Sequence, residues 1–317
     1  MVSVKTWGFL SLAALLVSVV PTVTEVVRSM SECAGFLLEE TPPHIPGVLE
    51  NGTIKNQTRY KPVCQTFNNT RRFVTLYDTD NKIPVFSAYK FTGSTGSRPS
   101  PPWKIEPQLE NERDNKNMKN VIKSRVYNHQ AGDKDYRNNN RSLDRGHIFP
   151  SSHAFDTSDK FSTFTLTNIV PQAETFNKKS WNRTESCVKC VLEKYCINQN
   201  NNPEAFVVTG ATPSASNFLN NRVNIPSMLW SAFCCYSTKT NKWLASAHWG
   251  DNVPDEDNNK YLQTKTLAQL RERLSLEVFP KTQCPLDSTV RDFYSKTNAE
   301  NTERERASCV SAKTVTI

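Results

Sequence analysis

The sequence predicts an α+β domain with a central antiparallel sheet flanked by helices, and three observations support this class. Apolar residues alternate around short turn signals at 71–91 and at 222–249, as expected of two β-hairpins. Residues 173–195 lack proline and glycine and carry apolar side chains near the helical period. No internal repeat divides the chain, so one domain is expected.

The turns of the two hairpins are predicted at Asp80–Asn81 and at Thr240–Asn241, because these residues favour tight turns. Residues 205–211 predict a buried strand that ends at Gly210. Leucines recur near the helical period within 260–276, which predicts a second helix.

A strand, loop, strand, helix order is predicted in the middle of the chain. Residues 143–149 form the first strand, and the β-branched residues 163–170 form the second, which Pro171 ends. The helix at 173–195 follows. The preceding segment, 107–141, is so polar that we expect loops, with room for one short helix, and no contribution to the core.

Residues 1–24 are predicted to be a signal peptide, with Lys5 preceding a mostly apolar run at 8–20. A retained signal anchor is the alternative, although about 20 apolar residues are needed to span a bilayer. We expect an extended leader at 25–60, a catalytic domain at 61–285 and a polar tail at 286–317. No membrane partner is expected.

Secretion to the extracellular space agrees with the remaining composition. Glycosylation triplets begin at five asparagines, namely Asn51, Asn56, Asn68, Asn140 and Asn182. Nine cysteines indicate structural disulfides, whose pairing the sequence leaves open. Because nine is odd, a covalent dimer through an unpaired cysteine stays open, and the oligomeric state is not predicted.

The net charge of +8 and the pI near 9.0 favour a polyanionic partner. Nucleic acid, glycosaminoglycan and an anionic membrane surface all satisfy this condition, so charge alone does not choose among them.

Residues suited to cleaving a phosphodiester cluster between 143 and 185. His147 can accept a proton from water, because an imidazole titrates near neutrality. The guanidinium forks of Arg145 and Arg98 match a phosphate. The carbonyl of Asn177 is a hard oxygen ligand of the kind that Mg²⁺ takes. Asp144 is expected to orient a neighbour rather than to bind metal.

Helix geometry separates the roles of Asn177 and Glu185. Eight residues along a regular α-helix place two side chains about 80° and about 12 Å apart. We therefore expect Asn177 to bind the metal directly and Glu185 to act through a metal-bound water. The helix side chain between them, Trp181, is expected to pack beneath the helix.

Each histidine also has a structural interpretation. A single histidine on a strand is usually structural, so a catalytic role for His147 is supported only by the residues around it. His153 is expected to serve its loop, and His248, in an apolar strand, is expected to be structural.

Residues 70–280 resemble the DNA/RNA non-specific endonucleases, a group with the ββα-metal or His-Me finger fold. The resemblance rests on Asp144-Arg145-Gly146-His147, the segment around Asn168, and Asn177-x₃-Trp181-x₃-Glu185. The segment RFVTLYDTDNKIPVFSAYKF also resembles the secreted vertebrate endonuclease domain-containing branch. Lys178 and its neighbours depart from the family, which often has glycine there.

The resemblance implies a role for each residue. His147 would be the general base, Asn177 the Mg²⁺ ligand and Glu185 a ligand of a metal-bound water. Asn168 would support the site by hydrogen bonding, while Arg145 would lie by the phosphate and Arg98 would stabilise the transition state.

The sequence therefore predicts a secreted endonuclease that hydrolyses DNA and RNA with little sequence preference, with Mg²⁺ or another divalent cation such as Mn²⁺. The resemblance also implies 5′-phosphate products. One alternative is a secreted binding protein on a nuclease scaffold with weak or lost activity. Another is a protein that binds glycosaminoglycan.

Overall fold

A computed structural model describes residues 25–137, 139–256, 261–290 and 292. The predicted signal peptide and most of the predicted polar tail lie outside the described residues. The strands within these ranges are β1 (Leu49–Glu50), β2 (Thr53–Ile54), β3 (Tyr60–Phe67), β4 (Thr70–Asp78), β5 (Ile83–Phe91), β6 (Lys104–Ile105), β7 (Lys119–Asn120), β8 (Leu143–His147), β9 (Ile169–Ala173), β10 (Ala205–Thr212), β11 (Phe218–Leu219), β12 (Val223–Asn224), β13 (Met228–Ser237) and β14 (Lys242–Asp251).

The α-helices are short apart from one. They are α1 (Pro107–Glu110), α2 (Asp133–Tyr136), α3 (Thr157–Ser162), α4 (Glu174–Phe176), α5 (Asn182–Tyr195) and α6 (Leu267–Leu274). A π-helical segment, Asn177–Trp181, joins α4 to α5, so that the chain is helical from Glu174 to Tyr195. The predicted helix at 173–195 is confirmed, whereas α6 covers only the second half of its predicted range.

A six-stranded antiparallel sheet organises the fold, with the strand order β14-β13-β10-β5-β4-β3. Both predicted hairpins are confirmed: β4 pairs with β5, and β13 pairs with β14. Strand β10 lies between them and joins β5 to β13. The α+β class with a central antiparallel sheet is thus correct.

Successive side chains of these strands point to opposite faces of the sheet, as the two-residue period of a strand requires. The side chains on the two faces are buried in different apolar clusters. In β5, Phe86 and Ala88 belong to one apolar cluster, whereas Tyr89 and Phe91 belong to another. The first cluster includes Leu267 and Leu270 of α6.

Residues 25–60 pack against the same face as α6. Seven of their apolar side chains are buried there, namely Val27, Met30, Cys33, Leu37, Leu38, Leu49 and Ile54. The disulfide Cys33–Cys64 ties the segment to β3. This segment, expected to be an extended leader, therefore contributes to the core beneath the main sheet.

The opposite face carries the ribbon of β8 and β9 together with the helix that follows it. Ile148, Ile169 and Trp181 share one apolar cluster there, and Val188 and Leu192 of α5 belong to the neighbouring one. Strand, strand and helix thus follow one another along the chain on a single face of the sheet.

Two local predictions on this face are wrong. Leu166–Asn168 forms a 3₁₀ turn within the predicted 163–170 strand, because the side chains of Thr167 and Asn168 bond to tertiary partners there. Pro171 lies inside β9 rather than ending a strand. Its missing N–H is tolerated because β8 and β9 form a separate two-stranded sheet.

The polar segment 107–141 supplies core residues, contrary to expectation. Tyr127, Ala131 and Tyr136 are buried in the cluster that contains Ile169. Their burial depends on polar tethers, such as the 3.2 Å hydrogen bond from the Ala131 N–H to the Tyr77 hydroxyl, which local hydropathy does not indicate.

Disulfides join elements distant in sequence, as predicted for structural bridges. Within the part of the chain that the structure describes, they include Cys196–Cys235 and Cys234–Cys284 besides Cys33–Cys64. Among the described residues, none of the helices has the length and apolar character that crossing a bilayer requires.

Candidate active site

His147 is the last residue of β8 and lies opposite Ile169 of β9. Immediately before it in the strand, Gly146 lies beneath the side chain of Gln172. A Cβ atom at position 146 would lie 2.0 Å from Gln172 Oε1 and 2.6 Å from Gln172 Cβ. Glycine is therefore required there by close packing, and it holds the strand that presents His147.

Aromatic rings enclose the imidazole of His147. Its ring centroid lies 4.9 Å from that of Phe164 and 5.5 Å from that of Trp103. The side chain is buried, and Nε2 has no hydrogen-bond partner among the described residues. A buried nitrogen without a partner is costly in a core, and the same holds for Nδ1 of His248, so it is the arginines beside His147 that distinguish this histidine as a candidate site.

Burial, together with the smaller effect of the positive charge of Arg98, lowers the pKa of His147 to about 3. The imidazole is therefore neutral at physiological pH, which is the form that accepts a proton. A phosphate anion bound beside it would raise this pKa, because opposite charge favours the protonated ring.

Two arginines flank the same aromatic cluster. The Arg98 guanidinium lies 5.4 Å from the Phe164 ring centroid, and the Arg145 guanidinium lies 5.2 Å from that of Trp103. Arg98 is exposed, whereas Arg145 is held by a 2.9 Å hydrogen bond to Asp133 Oδ1. The structure thus brings His147, Arg98 and Arg145 around one pair of aromatic rings.

Asn168 is completely buried, and both the oxygen and the nitrogen of its side-chain amide form hydrogen bonds. Its Oδ1 accepts hydrogen bonds from the Phe149 N–H and the Ser87 hydroxyl, each 2.9 Å long. Its Nδ2 donates to the carbonyls of Phe149 and Thr163, each at 3.0 Å. The side chain fastens the chain immediately after His147 to the main sheet, so its position is structural support for the site.

Asn177 opens the π-helical segment and is half-buried. Its Nδ2 donates a 3.0 Å hydrogen bond to Asp144 Oδ2 on β8. The Asp144 carboxylate therefore orients the amide, and the carbonyl oxygen of Asn177 is left for another ligand. Lys178 lies nearby, with its Nζ 3.7 Å from the same Asp144 oxygen.

The π-helical segment changes the relationship between Asn177 and Glu185. Two regular turns take about seven residues, and a π-turn adds about one. The eight residues between Asn177 and Glu185 therefore complete about two turns, and both side chains leave nearly the same face of the helix. The expected 80° offset assumed a regular α-helix, and the π-turn reduces it, whereas an axial separation of about 11 Å remains.

His153 fixes the helix at Glu185. Its Nε2 donates a 2.8 Å hydrogen bond to the Glu185 carbonyl, so its Nδ1 accepts the 2.8 Å bond from the Tyr89 hydroxyl. Burial lowers the pKa of His153 to about 4, which keeps this arrangement neutral. The expected loop role of His153 is thus confirmed.

His248 is buried in β14 and has a pKa lowered to about 4 by burial, as expected of a structural histidine.

The donor set suits a magnesium ion. Within the described ranges, no group of three or more His, Cys, Asp and Glu side chains is placed to hold a metal. Mg²⁺ needs no such cage, because it commonly keeps several waters and binds one or two protein oxygens together with substrate phosphate. The oriented carbonyl of Asn177 provides one such oxygen.

Three supporting residues were not predicted from the sequence. Trp103 and Phe164 enclose His147, and Asp133 anchors Arg145. They lie on separate segments of the chain, so no local spacing relates them to His147. The proline-rich segment that precedes Trp103 is the one sequence feature that could have marked this residue.

Comparison with known proteins identifies the family to which the chain belongs. The DNA/RNA non-specific endonuclease family matches residues 51–273. The Endonuclease domain-containing 1 protein of Homo sapiens is 27% identical over 221 residues, covering 67% of this chain and 40% of the relative. The protein of the same name from Mus musculus is 26% identical over 236 residues, covering 72% and 43%.

The chain thus matches about two-fifths of the length of these two relatives. A solved structure titled "Crystal structure of the EndoG/EndoGI complex: Mechanism of EndoG inhibition" aligns with a TM-score of 0.49 at 18% identity, covering 68% of this chain and 87% of that one. Since the family match extends over more than half of the chain, the protein belongs to the DNA/RNA non-specific endonuclease family.

Proposed function

We propose that this protein is a secreted, divalent-cation-dependent endonuclease that hydrolyses phosphodiester bonds in DNA and RNA with little sequence preference. Mg²⁺ is the proposed cation, and Mn²⁺ is an acceptable substitute. The observation that carries the proposal is the pair of unused acceptors at the site. His147 Nε2 is buried without a hydrogen-bond partner among the described residues, and the Asn177 amide is oriented by Asp144.

His147 is proposed as the general base. Its neutral imidazole would take a proton from the attacking water at Nε2, and the developing imidazolium would be stabilised by the substrate phosphate. Phe164 and Trp103 restrict the orientation of the ring and limit the access of bulk water to it. Asn168 holds the backbone that follows, so the base keeps its position.

The two arginines are proposed to bind phosphate. Arg145 is pre-positioned by Asp133, which favours its fork as a fixed contact beside the scissile group. Arg98 is exposed and is proposed to neutralise the negative charge that increases in the transition state. Because both contact the backbone of the nucleic acid rather than base edges, little sequence preference is expected.

Asn177 is proposed to hold the cation directly, and Glu185 to hold it through a bound water. When bound, the cation polarises the phosphate and stabilises the leaving oxygen. The π-helical segment supports this pairing, because it turns both side chains towards nearly the same face. Asp144 keeps the carbonyl of Asn177 directed away from the strand.

A plasmid-nicking assay tests the proposal. The wild-type protein with Mg²⁺ should convert supercoiled DNA to open-circular and linear forms and should also degrade RNA. EDTA and the His147→Ala substitution should each abolish cleavage, whereas His248→Ala, at a buried histidine in β14, should retain it. Equal cleavage by His147→Ala would overturn the assignment of the base, and an inactive wild-type protein that still binds DNA would favour a binding protein on a nuclease scaffold.

A further inference from the structure

The loop at residues 121–127, which follows β7, displays two aliphatic side chains to solvent. Ile122 is 55% exposed and Val126 is 48% exposed. Water-exposed aliphatic residues of this size are common singly, but two on one short loop form a local apolar tip. The sequence had indicated only a polar connection here.

This tip is held by the fold. The Val121 N–H donates a 2.8 Å hydrogen bond to the Trp103 carbonyl at one end of the loop, and the buried Tyr127 closes the other. Within the loop, the Ile122 N–H donates to the Tyr127 hydroxyl at 3.1 Å, and the Arg125 N–H donates to the Ile122 carbonyl at 3.0 Å. The exposed side chains therefore project from an ordered turn.

Positive charge lies between the two aliphatic residues. Lys123 and Arg125 are both exposed, and the Arg125 guanidinium lies 5.1 Å from the Tyr127 ring centroid. Two exposed aliphatic side chains with cations between them suit a partner that has a charged exterior and a stacked apolar interior. A nucleic-acid duplex has both properties.

The position of the loop selects this partner. Trp103, to which Val121 is bonded, contacts both the His147 ring at 5.5 Å and the Arg145 guanidinium at 5.2 Å. A polyanion that places a phosphate at these two residues would therefore lie close to the loop, which is one hydrogen bond away from Trp103.

We propose that Ile122 and Val126 insert between base pairs of a duplex bound at the active site, while Lys123 and Arg125 contact the flanking phosphates. The inference depends on the proposed nuclease function and names duplex nucleic acid as the substrate form that this loop distorts. Insertion unstacks one step and bends the backbone at the site. Flexible pyrimidine–purine steps should then be cut preferentially, because they unstack at lower cost.

A double variant, Ile122→Ser with Val126→Ser, tests the insertion in the full-length protein. The ratio of the cleavage rate on duplex DNA to that on single-stranded DNA of the same sequence should fall about 10-fold. Leu286→Ser is the matched control, because it removes an exposed aliphatic side chain beside α6. It should leave the ratio unchanged. An unchanged ratio in the double variant would overturn the proposal.

A second measurement does not require cleavage. A duplex carrying 2-aminopurine at a TA step should become brighter when the His147→Ala protein binds it with Mg²⁺, and the increase should disappear when the double substitution is added. Binding without any increase would overturn the insertion even if the protein is a nuclease. Loss of binding to phosphatidylserine vesicles in the double variant, with the duplex signal retained, would assign the tip to a membrane instead.

Discussion

The side-chain nitrogen of Asn177 donates a 3.0 Å hydrogen bond to Asp144 Oδ2, which links the helix to the strand that ends at His147. The two residues are thirty-three positions apart in the chain. The bond fixes which end of the amide faces β8, so the metal binding that we propose for Asn177 would depend on the Asp144 carboxylate.

Asp144→Ala should weaken the use of Mg²⁺. Without the carboxylate the amide of Asn177 can rotate, and loss of such an orienting partner typically reduces metal affinity about 10- to 100-fold. The measurement is the Mg²⁺ concentration that gives half-maximal plasmid cleavage. Glu174→Ala is the matched control, because it removes the 2.6 Å partner of Lys178 and leaves the Asp144–Asn177 bond intact. Equal shifts in both variants would show that Asp144 acts only through surface charge.

Gly146→Ala should destabilise the β8–β9 ribbon and displace His147. The new Cβ meets Gln172 Oε1 at 2.0 Å and Gln172 Cβ at 2.6 Å, and overpacking of this kind costs about 1–3 kcal/mol. Thermal unfolding and nicking activity measure the two effects. Adding Gln172→Ala should restore only part of the stability, since the Cβ contact remains. Full activity in the single variant would contradict the packing argument.

Asn168→Asp should lower the free energy of unfolding more than a surface amide change does. The carboxylate would face the carbonyls of Phe149 and Thr163, with which the present amide bonds at 3.0 Å. Leaving buried acceptors unpaired costs about 1–3 kcal/mol each. Urea denaturation provides the measurement, and Asn200→Asp on an exposed turn is the control. Similar midpoints for both variants would argue against Asn168 as a support of the site.

Stability should fall as the pH decreases from about 6.5 to about 4.5. Burial lowers the pKa of His147 to about 3 and that of His153 and His248 to about 4. The unfolded chain, with ordinary histidine pKa values near 6.5, therefore binds three protons in this range that the native state does not bind.

One buried acid opposes this trend. Burial raises the pKa of Glu106 to about 8, so the native state keeps one proton that the unfolded state releases above about pH 4.5. The unfolded state therefore binds three minus one, or about two, more protons than the native state. The free energy of unfolding should then change with a slope that approaches about 2.7 kcal/mol per pH unit. Urea midpoints at pH 7.0, 6.0 and 5.0 measure it, and His248→Gln should reduce the slope. A midpoint that rises towards acid would contradict the buried, neutral histidines.

Much of the fold could be predicted from local patterns. The hairpins at Asp80–Asn81 and Thr240–Asn241 combine alternation with turn residues, and both appear in the main sheet. These elements are specified by side chains adjacent in sequence. The 3₁₀ turn at Leu166–Asn168 is specified by tertiary hydrogen bonds to β5 and to the Phe149 backbone, so its β-branched sequence misled the prediction.

The residue types of the candidate site could be predicted from the sequence, whereas their spatial arrangement could not. Asn177, Glu185 and the expected orienting role of Asp144 follow from residue type and spacing. The π-helical segment does not, since an extra residue in a turn leaves the apolar pattern almost unchanged. The enclosure of His147 by Trp103 and Phe164 was also hidden, because three separate segments of the chain meet there.

The central claim is that the imidazole of His147, as general base, faces the amide oxygen of Asn177 across one hydrated cation held by Asn177. Paramagnetic broadening by Mn²⁺ of the His147 imidazole NMR signals, assigned with a His147→Ala variant, tests this most directly. We predict that substoichiometric Mn²⁺ broadens the His147 signal before those of His129 and His44, and that Asn177→Ala removes the effect. A His147 signal that stays sharp while Mn²⁺ supports cleavage would contradict the account.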